Sequence, residues 1–183
     1  APPRLRDVAV LTVGRERRTT SERGMDALYR AHAAEALRLG YLLTGDRILA
    51  EDLVQDAFVR VLGRFHDLRN KDAFWWYLRR TIVNLSSSTF RRRRVERAWL
   101  SSQRLDETAP AHGDLGERDR LRHALMKLRP EQRAAIVLRF YEDLSEADTA
   151  EALGVPLGTV KSTVSRGLER LRQELPDDAE DER

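Results

Sequence analysis

The sequence contains no cysteine, and several other features are scarce. Without cysteine the chain cannot form a disulfide, a thiolate metal site or a thiol nucleophile, which is compatible with a reducing cytoplasm. No run of about 18 apolar residues offers a membrane span, and the apolar stretch at residues 8–13 is shorter than expected of a signal peptide. With 183 residues, 7% of them aromatic, the chain can build one or two small cores, and a single large enzyme domain is not expected.

Lysine is also scarce. Only Lys71, Lys127 and Lys161 occur among the 33 basic residues, so the other 30 are arginines. Arginine is preferred where a planar, bidentate contact with phosphate or guanine is needed. A GC-rich genome would raise the arginine content everywhere without functional meaning, so composition leaves both explanations open. The positions of the arginines must decide between them.

The net charge of +3 is distributed unevenly along the chain. Residues 25–97 carry a net charge of +5 and residues 118–175 one of +2, whereas residues 98–117 and 176–183 carry −3 and −4. The segment 98–117 contains proline, glycine and acidic residues without helical periodicity, which indicates a linker. We therefore expect a flexible extension at 1–24, domains at 25–97 and 118–175, and an acidic tail at 176–183.

Both basic segments have the periodicity of amphipathic helices, and no β-type alternation of useful length occurs. In the first segment Phe74, Tyr77, Leu78 and Ile82 recur at the spacing of a buried helical stripe. In the second segment Ala134 and Leu138 do the same. The sequence therefore predicts an all-α fold of two small helical domains joined by a flexible linker.

The second segment contains a helix-turn-helix pattern. Ser145 is a good N-cap for its first helix, Gly154 permits the left-handed conformation that ends this helix, and Pro156 starts the next one. Outside its buried stripe, this second helix carries short polar and basic residues of the kind that read the major groove. They are Lys161, Ser162, Ser165 and Arg166. The alternative is a helical hairpin with a solvated polar face.

A helix predicted at about 47–62 has an acidic and amide stripe formed by Asp52, Gln55 and Asp56, with Val59 on the same side. Because carboxylates are unsuited to touching phosphate, a functional stripe of this kind would meet a protein. From this helix alone, an ordinary solvated face is the better interpretation.

The next helix carries aromatic and basic residues at successive turns. Trp76, Arg80 and Asn84 recur at i, i+4 and i+8, beside Trp75 and Arg79 and before the arginines at 91–94. Bases that stack on rings while guanidinium groups contact the backbone are typical of single-strand binding. Tryptophan at helical spacing is by default core, but this helix already has a full apolar stripe, so at least one tryptophan should lie partly outside it. The arginine run has two further interpretations, a charged helix end or a nonspecific phosphate anchor.

Three stretches in this order resemble the extracytoplasmic-function (ECF) group of bacterial sigma factors of RNA polymerase. They are AEDLVQDAF at 50–58, LRRTIVN at 78–84 and GTVKS at 158–162. The resemblance covers about residues 25–175 and implies a helical promoter-melting domain linked to a helix-turn-helix domain. It implies a cytoplasmic initiation factor that binds core RNA polymerase, recognises the −35 and −10 elements of promoter DNA and opens the duplex. Such a factor is not an enzyme and needs no cofactor or metal, and the family implies control by an anti-sigma factor.

The resemblance also assigns roles by position. Asp52, Gln55, Asp56 and Phe58 are similar to the family's polymerase-binding surface, which reverses the solvated-face interpretation. The loop 64–72 and the helix through Asn84 are similar to the −10 reader. The expected −10 binding and melting residues are Trp75, Trp76, Arg79, Arg80, Asn84, Arg91 and Arg92. The helix at 156–171 is similar to the −35 reader, and its expected DNA-binding residues are Thr159, Lys161, Ser162, Ser165 and Arg166. The chain departs from the family at Thr149, where isoleucine is usual.

Two other functions stay open at this point. A stand-alone helix-turn-helix regulator would bind duplex DNA without polymerase, but it leaves the acidic helix and the tryptophans unexplained. An enzyme fits less well, because the four histidines lack metal-ligand spacing and no glycine-rich phosphate loop or Ser/His/Asp grouping occurs. The histidines are His32, His66, His112 and His123.

Overall fold

The computed structural model describes residues 5–65, 73–101 and 117–175, with side chains for 24–63, 73–92 and 119–175. These segments are helical, and no strand occurs within them, so the all-α prediction is confirmed. The helices are α1 Leu5–Thr44, α2 Arg47–Phe65, α3 Ala73–Ser101, α4 Glu117–Lys127, α5 Pro130–Ile136 with a π-helical continuation Val137–Tyr141, α6 Glu146–Leu153 and α7 Leu157–Glu174. Most of the predicted linker and all of the acidic tail lie outside the described residues.

The chain divides into two compact units, Ala1–Glu35 and Ala36–Arg183. In the first unit α1 is helical from Leu5, where the sequence predicts a flexible extension. Residues 5–24 contain no proline and include five arginines, a residue with good helix propensity. The second unit contains all of the predicted domain 118–175 and most of the predicted domain 25–97.

Within the second unit, α2 and α3 pack along one another and form the first core. Phe74, Leu78 and Ile82 of α3 are completely buried, as their spacing predicts. The ring of Phe58 on α2 lies 6.0 Å from the ring of Phe74, centroid to centroid. This packing fixes which face of α2 points outward. We call residues 36–92 of this unit the N-terminal module.

The helices α4–α7 form the second core, and we call them the C-terminal module. Leu125, Leu128 and Ile136 are buried together in this core. Leu42 of the N-terminal module also packs against them, so the two modules share apolar contacts. At the turn between α1 and α2, Gly45 has a φ of +70°, and a Cβ there would lie 2.4 Å from the sulfur of Met126. Glycine is therefore favoured at this position, both by its left-handed conformation and by the nearby side chain of Met126.

The helix-turn-helix forms as its sequence predicts. The side chain of Ser145 accepts a 3.0 Å hydrogen bond from the backbone N–H of Asp148 and caps α6. Gly154 ends α6 in the left-handed conformation, with φ of 66°. The turn then leads through Pro156 into α7, where Val160 is fully buried. This burial sets the rotation of α7 and therefore which of its side chains face solvent.

Candidate functional site

The outer face of α2 presents the predicted acidic stripe to solvent. Asp52, Gln55 and Asp56 are exposed, and Asp56 makes a surface ion pair with Arg60 one turn away, at 3.1 Å. Such an i,i+4 pair contributes little stability, so it leaves the carboxylate available to another partner. Phe58 is different, because it is buried under this face and packs on α3.

Two large apolar side chains extend the same face. Ile48 is 73% exposed and Val59 is 71% exposed, and with Asp52 and Gln55 they follow the spacing i, i+4, i+7 and i+11. Isolated apolar residues are normal on protein surfaces, but two at the ends of one polar helical stripe are typical of a contact surface. The sequence pattern alone identifies the polar centre of this face and Val59 at one end, and it misses Ile48 at the other.

One side of α3 combines aromatic rings with arginine. Trp76 is half-buried, and the guanidinium of Arg80 lies 5.3 Å from the centre of its ring, in cation–π geometry. Asn84 and the arginines at 91 and 92 are exposed further along the helix. Tyr77, which the apolar stripe would place inside, is 41% exposed. The loop 64–72 lies almost entirely outside the described residues.

Arg79, also on α3, does not face solvent. Its side chain is 9% exposed and its Nη1 lies 3.1 Å from a carboxylate oxygen of Glu142, whose side chain is 3% exposed. The same guanidinium lies 6.0 Å from the ring centre of the half-buried Trp75. Glu142 follows the π-helical turn of the C-terminal module, so this ion pair crosses between the modules. Sequence reasoning assigns Arg79 to DNA and gives no signal for Glu142.

The outward face of α7 carries all five residues predicted to read the −35 element. All five side chains are exposed. They are Thr159, Lys161, Ser162, Ser165 and Arg166. Arg166 donates from Nε to the carbonyl of Ser162, at 3.0 Å, and from Nη2 to its hydroxyl, at 3.1 Å. Lys161 lies 3.6 Å from a carboxylate oxygen of Glu146. These contacts orient the two cations along the first turns of the helix.

Arg133 is a buried arginine that sequence reasoning overlooks. It donates to the carbonyls of Leu125, Met126 and Leu128 in its own module and, at 2.6 Å, to that of Leu43 in α1. Burial lowers the pKa of Arg133 to about 10, so the guanidinium stays protonated at neutral pH. A signal does exist in the sequence, since Arg133 precedes the buried Val137 by four positions, the spacing of one helical face.

Among the residues that the structure describes, no helix combines the length and the apolar character that a membrane crossing needs. No group of three or more metal-ligating side chains occurs among them either.

Comparison with known proteins identifies two regions of the chain by family. Residues 28–96 match the family model of sigma-70 region 2, and residues 118–171 match that of sigma-70 region 4. The match of the first segment to a sigma region disfavours a stand-alone helix-turn-helix regulator.

Individual relatives and a solved structure give the same result. The chain is 39% identical to the RNA polymerase sigma-E factor of Streptomyces avermitilis, over 76% of this chain and 78% of that protein. It is 30% identical to the ECF RNA polymerase sigma factor SigW of Bacillus subtilis, over 76% of this chain and 82% of that protein. The sigma factor RpoE of Bartonella quintana, solved with the anti-sigma factor NepR, is 25% identical, with a TM-score of 0.64 over 86% of this chain and 97% of that one. The chain belongs to the ECF sigma factors of RNA polymerase.

Proposed function

We propose that this sigma factor binds core RNA polymerase through the outer face of α2. The observation that carries this proposal is the exposed stripe of Asp52, Gln55 and Asp56 between the apolar side chains of Ile48 and Val59. A partner that covers the two apolar ends gains their burial, and the carboxylates and the amide set its orientation. Phe58 supports this face from below by packing α2 on α3.

The −10 element is assigned to α3. The half-buried rings of Trp75 and Trp76 offer surfaces on which an unpaired base can stack. Arg80, next to the Trp76 ring, and the exposed Asn84 supply hydrogen-bond donors on the same helix. The exposed Arg91 and Arg92 are suited to backbone phosphates. We include Arg79 in this set on condition that its ion pair with Glu142 opens.

The −35 element is assigned to α7. Its exposed polar residues lie in the first half of a helix that follows a helix-turn-helix turn, which is the part of such a helix that enters the major groove. Lys161 and Arg166 can contact guanine or phosphate, and Thr159, Ser162 and Ser165 supply short hydroxyl groups. We retain residues 25–97 and 118–175 as the limits of the two DNA-facing domains.

The sigma factor works as a dissociable part of polymerase and performs no bond chemistry of its own. We assign it to the cytoplasm, where polymerase and promoter DNA are found. The sigma factor RpoE of Bartonella quintana was solved with an anti-sigma factor, and we propose a partner of the same kind for this chain.

In vitro transcription tests the whole proposal. Purified core polymerase, the full chain and a library of genomic DNA fragments should yield transcripts with defined start sites that are absent without the chain. The proposal is contradicted if the chain alone binds duplex DNA specifically and does not associate with core polymerase in a pull-down.

A further inference from the structure

We propose that the buried Arg79–Glu142 ion pair is an intramolecular latch that holds the two modules closed and keeps Arg79 away from DNA. The inference rests on the proposed function, because it takes Arg79 as a DNA-facing residue of α3. It begins from a conflict between two observations. The sequence places Arg79 beside residues suited to DNA, whereas the structure buries its guanidinium against a carboxylate of the other module.

The pair lies within a wider contact between the modules. α3 packs against α5 and α6, and α6 is the first helix of the helix-turn-helix. The guanidinium of Arg133 lies 5.1 Å from the ring centre of Phe90 on α3, and Arg38 donates a 3.2 Å hydrogen bond to the hydroxyl of Tyr141. The −10 helix and the −35 module are therefore in direct contact.

This closed arrangement is too small to span a promoter. By their numbering the −35 and −10 elements are about 25 base pairs apart, which is about 85 Å at roughly 3.4 Å per base pair of B-form DNA. A compact unit of this length has a radius of gyration of about 15 Å, and is therefore roughly 40 Å across. The modules must separate before α3 and α7 can reach both elements, and separation breaks the Arg79–Glu142 pair.

The ion pair is the contact best suited to act as a switch. Arg133 loses the carbonyl of Leu43 and the ring of Phe90 when the modules separate, but its charge keeps three carbonyl partners in its own module. Arg79 and Glu142 instead lie buried as opposite charges on different modules. The Coulomb attraction of a buried pair is largely offset by desolvation, although removal of one partner alone is costly. A DNA phosphate can replace the carboxylate as partner of the guanidinium, so the same arginine serves either state.

The test measures the distance between the modules directly. Because the chain has no cysteine, two spin labels can be attached at Glu51→Cys on α2 and Gln173→Cys on α7, both at exposed positions. Pulsed electron resonance on the full chain should give one short distance population. Glu142→Gln, which leaves Arg79 buried without its counter-charge, should raise the open population at least about tenfold. Arg79→Gln should lengthen the distances in the same way.

The matched control is Asp143→Asn. Asp143 is the exposed neighbour of Glu142 and has a positive φ of 50°, which asparagine also tolerates. The substitution removes the same charge next to the latch and should leave the distances unchanged. If Glu142→Gln gives the same distances as Asp143→Asn, the latch is overturned.

A second measurement separates the latch from the proposed function. Fluorescence anisotropy with a labelled random-sequence single strand of roughly 20 nucleotides should show tighter binding by Glu142→Gln than by Asp143→Asn, by about tenfold. Both variants have lost one negative charge, so the general effect of net charge on DNA binding is the same in both and does not contribute to the difference between them. Longer distances without this gain in affinity would support the latch and contradict the assignment of Arg79 to DNA.

Discussion

The Nη1 group of Arg133 lies 2.6 Å from the carbonyl oxygen of Leu43. Leu43 is in the last turn of α1, where helical carbonyls have no partner within the helix. An arginine of the C-terminal module therefore caps a helix of the N-terminal module, with favourable interaction between its charge and the helix dipole. Arg133 is only 4% exposed, so water cannot replace these carbonyls as a partner of its guanidinium.

The role of Arg133 predicts a large loss of stability on its removal. Arg133→Met keeps much of the apolar stem and leaves buried carbonyls without a donor, which should lower the free energy of unfolding by about 2–4 kcal/mol. Urea denaturation followed by circular dichroism measures this loss. Arg170→Met is the matched control, because Arg170 is exposed and pairs only with residues of its own helix among those described. Equal losses in both variants would contradict the assigned role.

Thr149 offers the opposite case, a position that can be improved. It is completely buried in α6, and among the described residues its hydroxyl oxygen has no hydrogen-bond partner. Thr149→Val keeps the shape and removes the unsatisfied hydroxyl, so we expect a gain of about 1 kcal/mol. The melting temperature should rise by about 2–4 °C. Thr163→Val, at a half-buried position of α7, should change the melting temperature much less, and an unchanged or lower value for Thr149→Val would refute the prediction.

Two glycines of α7 should respond differently to alanine. A Cβ at Gly158 meets nothing within 4 Å, whereas one at Gly167 would lie 2.6 Å from Cδ1 of the buried Ile136. Gly158→Ala should therefore stabilise the helix by up to about 1 kcal/mol. Gly167→Ala should destabilise the chain by about 1–2 kcal/mol, because the buried side chain of Ile136 must give way to the new methyl group.

The steric explanation has its own check. Ile136→Val removes the Cδ1 atom that the new methyl group would meet, so Gly167→Ala should cost less in the Ile136→Val background than in the wild type. Urea denaturation of the four chains gives this coupling. The absence of coupling would show that α7 is destabilised for another reason.

The sequence was sufficient for features that depend on neighbours along the chain. The Ser145 cap and the left-handed Gly154 follow from rules that act within a few residues, and the exposed stripe on α2 follows from helical periodicity. Arg79 and Glu142 lie 63 positions apart, and Arg133 and Leu43 lie 90 apart. Periodicity carries no information on such pairs, which depend on how the two modules meet. For this reason the sequence places Arg79 on its helix but does not predict its buried partner.

The proposed division of labour predicts separable defects. Lys161→Ala and Arg166→Ala remove cations from the exposed face of α7 and should weaken binding to a −35 duplex by about 1–3 kcal/mol each, while binding to core polymerase is unchanged. Asp52→Ala combined with Gln55→Ala removes polar groups from the outer face of α2 and should weaken binding to core polymerase with duplex binding unchanged. Electrophoretic mobility shifts and pull-downs with purified core enzyme measure the two steps. If both sets of substitutions impair the same step equally, α2 and α7 do not have the separate roles assigned to them.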